Sequence, residues 1–275
     1  IMTNENTNGT ATATTDEVLY EVSGHVATIT INRPEVQNTI SPTMLSLISE
    51  LMLKGDQDPE VRAIVITGAG KFFCVGLDLR GSKITDKLSE PSSGPKNIDL
   101  RNTPPTVLHN LDTPTIAALN GSAAGYGMDL ALGCDIRIMA EGAKLAAAFT
   151  ARGVVPESGG TWILPRLIGW SRAAEIIFTG KTLKASECVE MGLVSRTVPT
   201  EELHEEAMNL AKTIAKNAPL AVQASKRMMR MSMNETFNDH VHHVYLQLLP
   251  LFSSEDFKEG MASFLEKRLP EFKGR

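Results

Sequence analysis

Two short turns carry the residue types and spacing that chemistry on a carbonyl would use. Phe73-Cys74-Val75-Gly76-Leu77-Asp78 and Asn120-Gly121-Ser122-Ala123-Ala124-Gly125-Tyr126-Gly127 each follow a short apolar run. A carbonyl that becomes an oxyanion needs two fixed donors in a dry site, and glycine turns or helix N-termini supply backbone N–H groups for it without using a side chain. Gly121, Gly125 and Gly127 bracket the start of an apolar helix, Gly125 to Gly133. Its first N–H groups lack internal partners and carry partial positive charge. A lone glycine turn reads first as a tight strand-to-helix connection, so the second turn is what moves the reading toward function. The string GSAAGYG lacks GxGxxG spacing and no GxxxxGK[ST] occurs, which sets nucleotide-phosphate loops well behind.

The elements that must hold these turns are legible from periodicity. Residues 18 to 32 (VLYEVSGHVATITIN) read as a hairpin turning at Ser23-Gly24, stopped by Asn32-Arg33-Pro34. Ser41-Pro42 is an N-cap and first-turn proline pair for a helix that places Met44, Leu45, Leu47, Ile48, Leu51 and Met52 toward the core. Val61 to Thr67, Thr115 to Leu119 and Ile136 to Ala140 are short apolar runs next to glycine, the pattern of buried parallel strands. This cadence predicts an α/β layer with parallel crossovers, in which sites form beyond the carboxyl ends of the strands. Arg80 to Asn110 is polar, with Pro-Ser-Ser-Gly-Pro and Asn-Thr-Pro-Pro, and reads as a mobile loop facing substrate. After Pro199 the sequence is helical, ending in a segment near Ser254 to Lys267 with Phe257, Met261, Phe264 and Leu265 on one stripe. The expected organisation is a disordered tail over 1–15, a core over 16–199 that holds the site, and a helical region over 200–275.

Composition narrows the partners. The chain has 275 residues, 42% of them hydrophobic, enough for one domain with a substantial core. A formal charge of -5 and a pI near 5.7 give no general attraction to nucleic acid or acidic membrane. Cys74, Cys134 and Cys188 are far apart with no CxxC pair, and read as reduced thiols of a cytoplasmic protein. No run approaches the length of a membrane helix. His240 and His243 stand one helical turn apart, but no carboxylate motif completes a ligand set, so no metal is expected. The Met228 to Met233 segment reads as adaptable packing.

The strings AGKFFCVGLDL, PTIAALNGSAAGYGMDLALGCDIRIMA, GVVPESGGTWILPRLIG, GKTLKASECVEMGLVSRTVP and EGMASFLEKRLPEFKGR, in that order, resemble the crotonase family of enoyl-CoA hydratases and isomerases. The resemblance covers roughly residues 16 to 275. It implies a crotonase-like α/β fold, a ββα spiral core with a C-terminal helical region used in trimer assembly, and a homotrimer or dimer of trimers. It also implies an acyl-CoA thioester as substrate, with no metal or other cofactor, coenzyme A being part of the substrate. By the same resemblance the oxyanion donors fall on the N–H groups of Val75 and Tyr126, the latter a tyrosine where glycine is usual. The two glutamates of hydratases fall on Asp129 and on Phe149, which cannot transfer a proton. Isomerases of the family place a single carboxylate at the turn that here carries Glu157, and moving a double bond needs one base to shuttle a proton between C2 and C4. The expectation is therefore an isomerase using Glu157. The alternatives are a hydratase using Asp129 and Glu157, and a catalytically silent acyl-CoA binder. Coenzyme A would lie against the first turn near Phe73 and Leu77, with Phe264 and Lys267 reaching in from elsewhere in the assembly and Lys71 or Arg33 meeting phosphates.

Overall fold

A computed structural model describes residues 16–78, 101 and 103–275. The expected tail over 1–15 and most of the polar stretch from Arg80 to Asn110 lie outside the described residues. The end of that stretch departs from the loop reading. Pro104–Asn110 forms helix α2, because Pro104 and Pro105 occupy first-turn positions where a missing N–H costs nothing.

The chain winds by placing successive strands in two sheets. One sheet has six strands in the order β1 (Val18–Ser23), β2 (Val26–Ile31), β3 (Ala63–Gly68), β5 (Thr115–Leu119), β7 (Ile136–Ala140) and β10 (Arg196–Val198). Only the β1–β2 hairpin is antiparallel in it. The other sheet holds four three-residue strands, β4 (Phe72–Cys74), β6 (Ser122–Ala124), β8 (Lys144–Ala146) and β9 (Thr182–Lys184). Each turn of the spiral thus runs from a strand of the large sheet, through a tight bend, into a strand of the small one. Strands of the large sheet are apolar on both faces, as for Ile64, Val65 and Ile66, all fully buried. Helix α1 (Pro42–Gln57) covers one side, started by Ser41, whose Oγ accepts from the Met44 N–H at 3.3 Å.

Helix α3 (Tyr126–Gly133) follows β6, and α4 (Gly160–Ile168), α5 (Trp170–Thr179) and α6 (Ala185–Glu190) complete the middle of the chain. Helix α7 (Leu203–Ala215) buries Leu203, Ala207, Ala211 and Ala215 against the large sheet, so the core reaches past residue 199. Helix α8 (Pro219–Ser232) is docked by partly buried charges: Lys226 Nζ meets Asp135 at 2.7 Å, and Arg230 meets Asp112 at 3.2 Å. Helices α9 (Phe237–Leu251) and α10 (Glu255–Glu266) expose Phe237, Leu249, Phe264 and Leu265. The paired histidines have a local explanation: the Glu235 carboxylate meets His240 Nδ1 at 3.2 Å and His243 Nδ1 at 2.9 Å. No described helix is long and apolar enough to cross a membrane.

Candidate active site

The two glycine turns sit back to back. Gly127, in the first turn of α3, touches the first turn so closely that a Cβ on it would lie 2.1 Å from the Cys74 carbonyl oxygen. Gly121 is pressed in the same way against Lys71, with 2.0 Å to its carbonyl oxygen. Gly76 adopts φ +109°, a conformation L side chains rarely take, and its Cβ position is 3.9 Å from the Tyr126 nitrogen. Asn120 locks the turns: its Oδ1 accepts from Gly68 N at 3.0 Å while Nδ2 donates to the Gly70 and Phe72 carbonyls. Asn38, fully buried, adds donations to Ala69 and Phe72. Sequence reading placed Asn120 in the second turn without its bracing role, and missed Asn38. An asparagine opening a glycine turn is the signal that could have found the role of Asn120; Asn38 stands beside no glycine in the sequence and carried no such signal.

This geometry corrects one donor. The Val75 N–H donates to the Gln37 carbonyl at 3.3 Å, so it is already committed. Pairing of Ile40 beside Leu77 uses the Gly76 carbonyl and the Asp78 N–H, each at 2.9 Å. Alternation along an extended chain then turns the Leu77 N–H to the opposite side. Neither Leu77 N–H nor Tyr126 N–H has a backbone acceptor among the described residues.

A cavity of about 380 Å³ gathers Tyr126, Asp129, Glu157 and Ser158, along with His109 and Trp162. Three of the four catalytic residues expected from sequence, Glu157, Asp129 and Tyr126, therefore share one space. Val75 does not line it. Asp129 is buried on α3 and accepts from the Gly160 N–H at 3.2 Å, at the start of α4. The fit is so close that a Cβ at residue 160 would lie 2.2 Å from an Asp129 oxygen. Burial, with the Glu157 carboxylate nearby, pushes the Asp129 carboxyl up to about 7, while the Gly160 and Ser158 backbone pulls it the other way. Glu157 itself is exposed.

Tyr126 turns its phenol inward. Burial raises its pKa, and Cys74, Glu157 and Asp129 push the same way, so the hydroxyl stays protonated. Ser158 acts in the opposite direction, yet neither the Tyr126 nor the Ser158 hydroxyl completes a hydrogen bond. Cys74 is buried behind this group, with its thiol pushed up to about 12 by burial, so it holds no thiolate for nucleophilic work. Phe149 is buried too, its ring 4.0 Å from the Cβ position of Gly125. It packs beneath the second turn and closes that position to a carboxylate. His109 was not anticipated from sequence. It lies on α2, edge-on to Trp162 with ring centroids 5.3 Å apart, and burial with Arg230 and Lys226 nearby lowers its pKa.

The residues expected to hold coenzyme A are more dispersed. Arg33 is committed to Glu17 at 3.2 Å and Asp78 at 3.1 Å and also donates to the Thr39 carbonyl, so it braces the first turn. Phe73 is fully buried, which leaves only its backbone to meet a ligand. Lys71 is exposed at the entry to β4. Phe264 and Lys267 are exposed at the end of α10, and none of these residues lines the cavity in the single chain.

The chain matches the family model for enoyl-CoA hydratase/isomerase over residues 21–275. It is 36% identical to the short-chain-enoyl-CoA hydratase of Clostridium acetobutylicum, covering 94% of this chain and 99% of that one. It is 34% identical to the 1,2-epoxyphenylacetyl-CoA isomerase of Escherichia coli, covering 94% and 98%. Among solved structures, an enoyl-CoA hydratase from Bacillus anthracis superposes with a TM-score of 0.85 at 32% identity, over 94% of this chain and 100% of that one. The two-sheet spiral is therefore the crotonase fold, and the chain belongs to the enoyl-CoA hydratase/isomerase family.

Proposed function

We propose that the protein isomerises an enoyl-CoA, moving a double bond between the 3 and 2 positions with Glu157 as the base. The observation that carries this reading is the contrast within one segment. Phe149 is buried where a second carboxylate would stand, while Glu157 is exposed and lines the cavity beside Tyr126. In the reaction, the Glu157 carboxylate takes a proton from C2, and the electron pair passes to the thioester oxygen as an enolate. The N–H groups of Leu77 and Tyr126 hold that oxygen. Glu157 returns the proton at C4, the double bond re-forms between C2 and C3, and the thioester carbonyl is restored. No other cofactor enters the balance. Asp129, hydrogen-bonded to Gly160, fixes the turn that carries Glu157.

Substituting Glu157→Gln keeps the shape and removes the base. Isomerase activity on a 3-enoyl-CoA is expected to fall by about 10²–10⁴-fold with binding retained. A fully active variant would sink the assignment.

A hydratase reading has its own support in Asp129, whose carboxyl, held near 7, can exchange a proton at neutral pH in company with Glu157. Efficient conversion of a 2-enoyl-CoA to its 3-hydroxyacyl product, abolished in Asp129→Asn, would select it. Coenzyme A thioester binding without turnover of either enoyl isomer would select the silent binder. The exposed apolar residues of α9 and α10 support assembly into trimers, which would bring Phe264 and Lys267 toward a neighbour's coenzyme A. Lys71 is the described cation best placed at the first turn to meet a phosphate.

A further inference from the structure

The cavity has an aromatic corner that the proton chemistry does not use. His109 and Trp162 meet edge to face at 80°, and both line the cavity. The Arg166 guanidinium lies 3.9 Å over the Trp162 ring and fixes its orientation. Pro105, Leu108, Leu130 and Ile163 supply apolar surface around the pair. We propose that this corner receives an aromatic ring at the end of the acyl group, making His109 and Trp162 the residues that select an aryl-bearing acyl-CoA. The inference rests on the acyl-CoA reading of the same cavity.

Size, surface and geometry agree with it. A cavity of about 150 Å³ is enough to hold benzene. The 380 Å³ here takes one ring and the carbons that link it to the thioester. Aromatic rings gain from edge-to-face and offset contacts beyond what apolar burial gives, whereas a straight chain gains the burial alone. An imidazole whose pKa is lowered can also stand in an apolar wall without a desolvated charge.

The test compares phenylpropanoyl-CoA with the straight-chain saturated acyl-CoA of equal carbon count, titrated calorimetrically into the full chain. The aryl thioester should bind about twofold to tenfold more tightly. That ratio should fall toward one in Trp162→Leu and in His109→Leu. Equal affinities in the unaltered protein would overturn the proposal, as would a ratio that survives both substitutions. Neither ligand has a double bond to move, so failure of Glu157 as the base would leave the ratio intact. Failure of both thioesters to bind would instead remove the acyl-CoA reading, and this inference with it.

Discussion

Two glycines at the site, one in each turn, serve its compactness by different means. In the first, freedom is conformational: Gly76 takes φ +109°, and the surrounding backbone is tied down by Gln37 and Ile40. In the second, Gly125 also takes a positive φ, +54°, but Gly127 sits in a helix and has no unusual angle to adopt. Its need is proximity, because its backbone packs onto the Cys74 carbonyl where a methyl group would not fit. A glycine in a sequence therefore states that something is special without stating what. The two cases respond differently to the same substitution.

Gly127→Ala should have the largest effect. The added carbon meets backbone, which cannot rotate away, so the turns must separate by a sizeable part of an ångström. Loss of one oxyanion donor costs about 10²–10³-fold in kcat, and at least that loss is expected together with a lowered melting temperature. An alanine variant with normal turnover would show that the turns need not touch.

Asp129 sharpens the comparison at the second turn, since it ties α3 to the start of α4. Its pKa is raised on folding from 3.8 to about 7, so between those values the folded state holds a proton that the unfolded state has released. Its contribution to stability should therefore be full below pH about 4, decline through that window and be lost above about 7, by on the order of 4 kcal/mol at most. Asp129→Asn should remove this contribution, so that the stability difference between wild type and variant changes across the window, as read by denaturant melts across pH. A difference between wild type and variant that stays constant over this range would contradict the burial argument.

Gly76→Ala should follow, with about 1–3 kcal/mol of backbone strain. Its Cβ would meet the Ala124 carbonyl oxygen at 3.3 Å, a contact that a small shift can relieve. Smallest of all, Tyr126→Phe retains the backbone N–H and removes a hydroxyl with no completed hydrogen bond. Its stability should change by less than about 1 kcal/mol, in either direction, by thermal melting. A larger loss would mean that the phenol bonds strongly to Ser158 or to a carboxylate.

Much of this architecture was legible before any coordinates. The Ser41 cap and the apolar runs at 61–67, 115–119 and 136–140 follow from period and turn chemistry, and the structure has a helix and strands there, while the expected hairpin forms with its turn one residue later than read, at Gly24-His25. The small sheet was not legible. Strands of three residues such as Phe72–Cys74 and Lys144–Ala146 are too short to display alternation, and their pairing with β6 depends on residues distant in the chain. The helix at Pro104–Asn110 was hidden for another reason: a Pro-Pro pair marks a loop as readily as a helix start.

At the site, sequence alone determined the inventory: two glycine turns, Asp129, Tyr126, a carboxylate at Glu157 and a phenylalanine at Phe149. Chemical type is written residue by residue, so no folding is needed to read it. Tertiary structure decided availability. Val75 lost its N–H to Gln37, Arg33 was drawn into ion pairs with Glu17 and Asp78, and His109 was carried into the cavity against Trp162. Each of these turns on which partner lies within hydrogen-bond or contact distance, and only packing of segments remote in sequence fixes that.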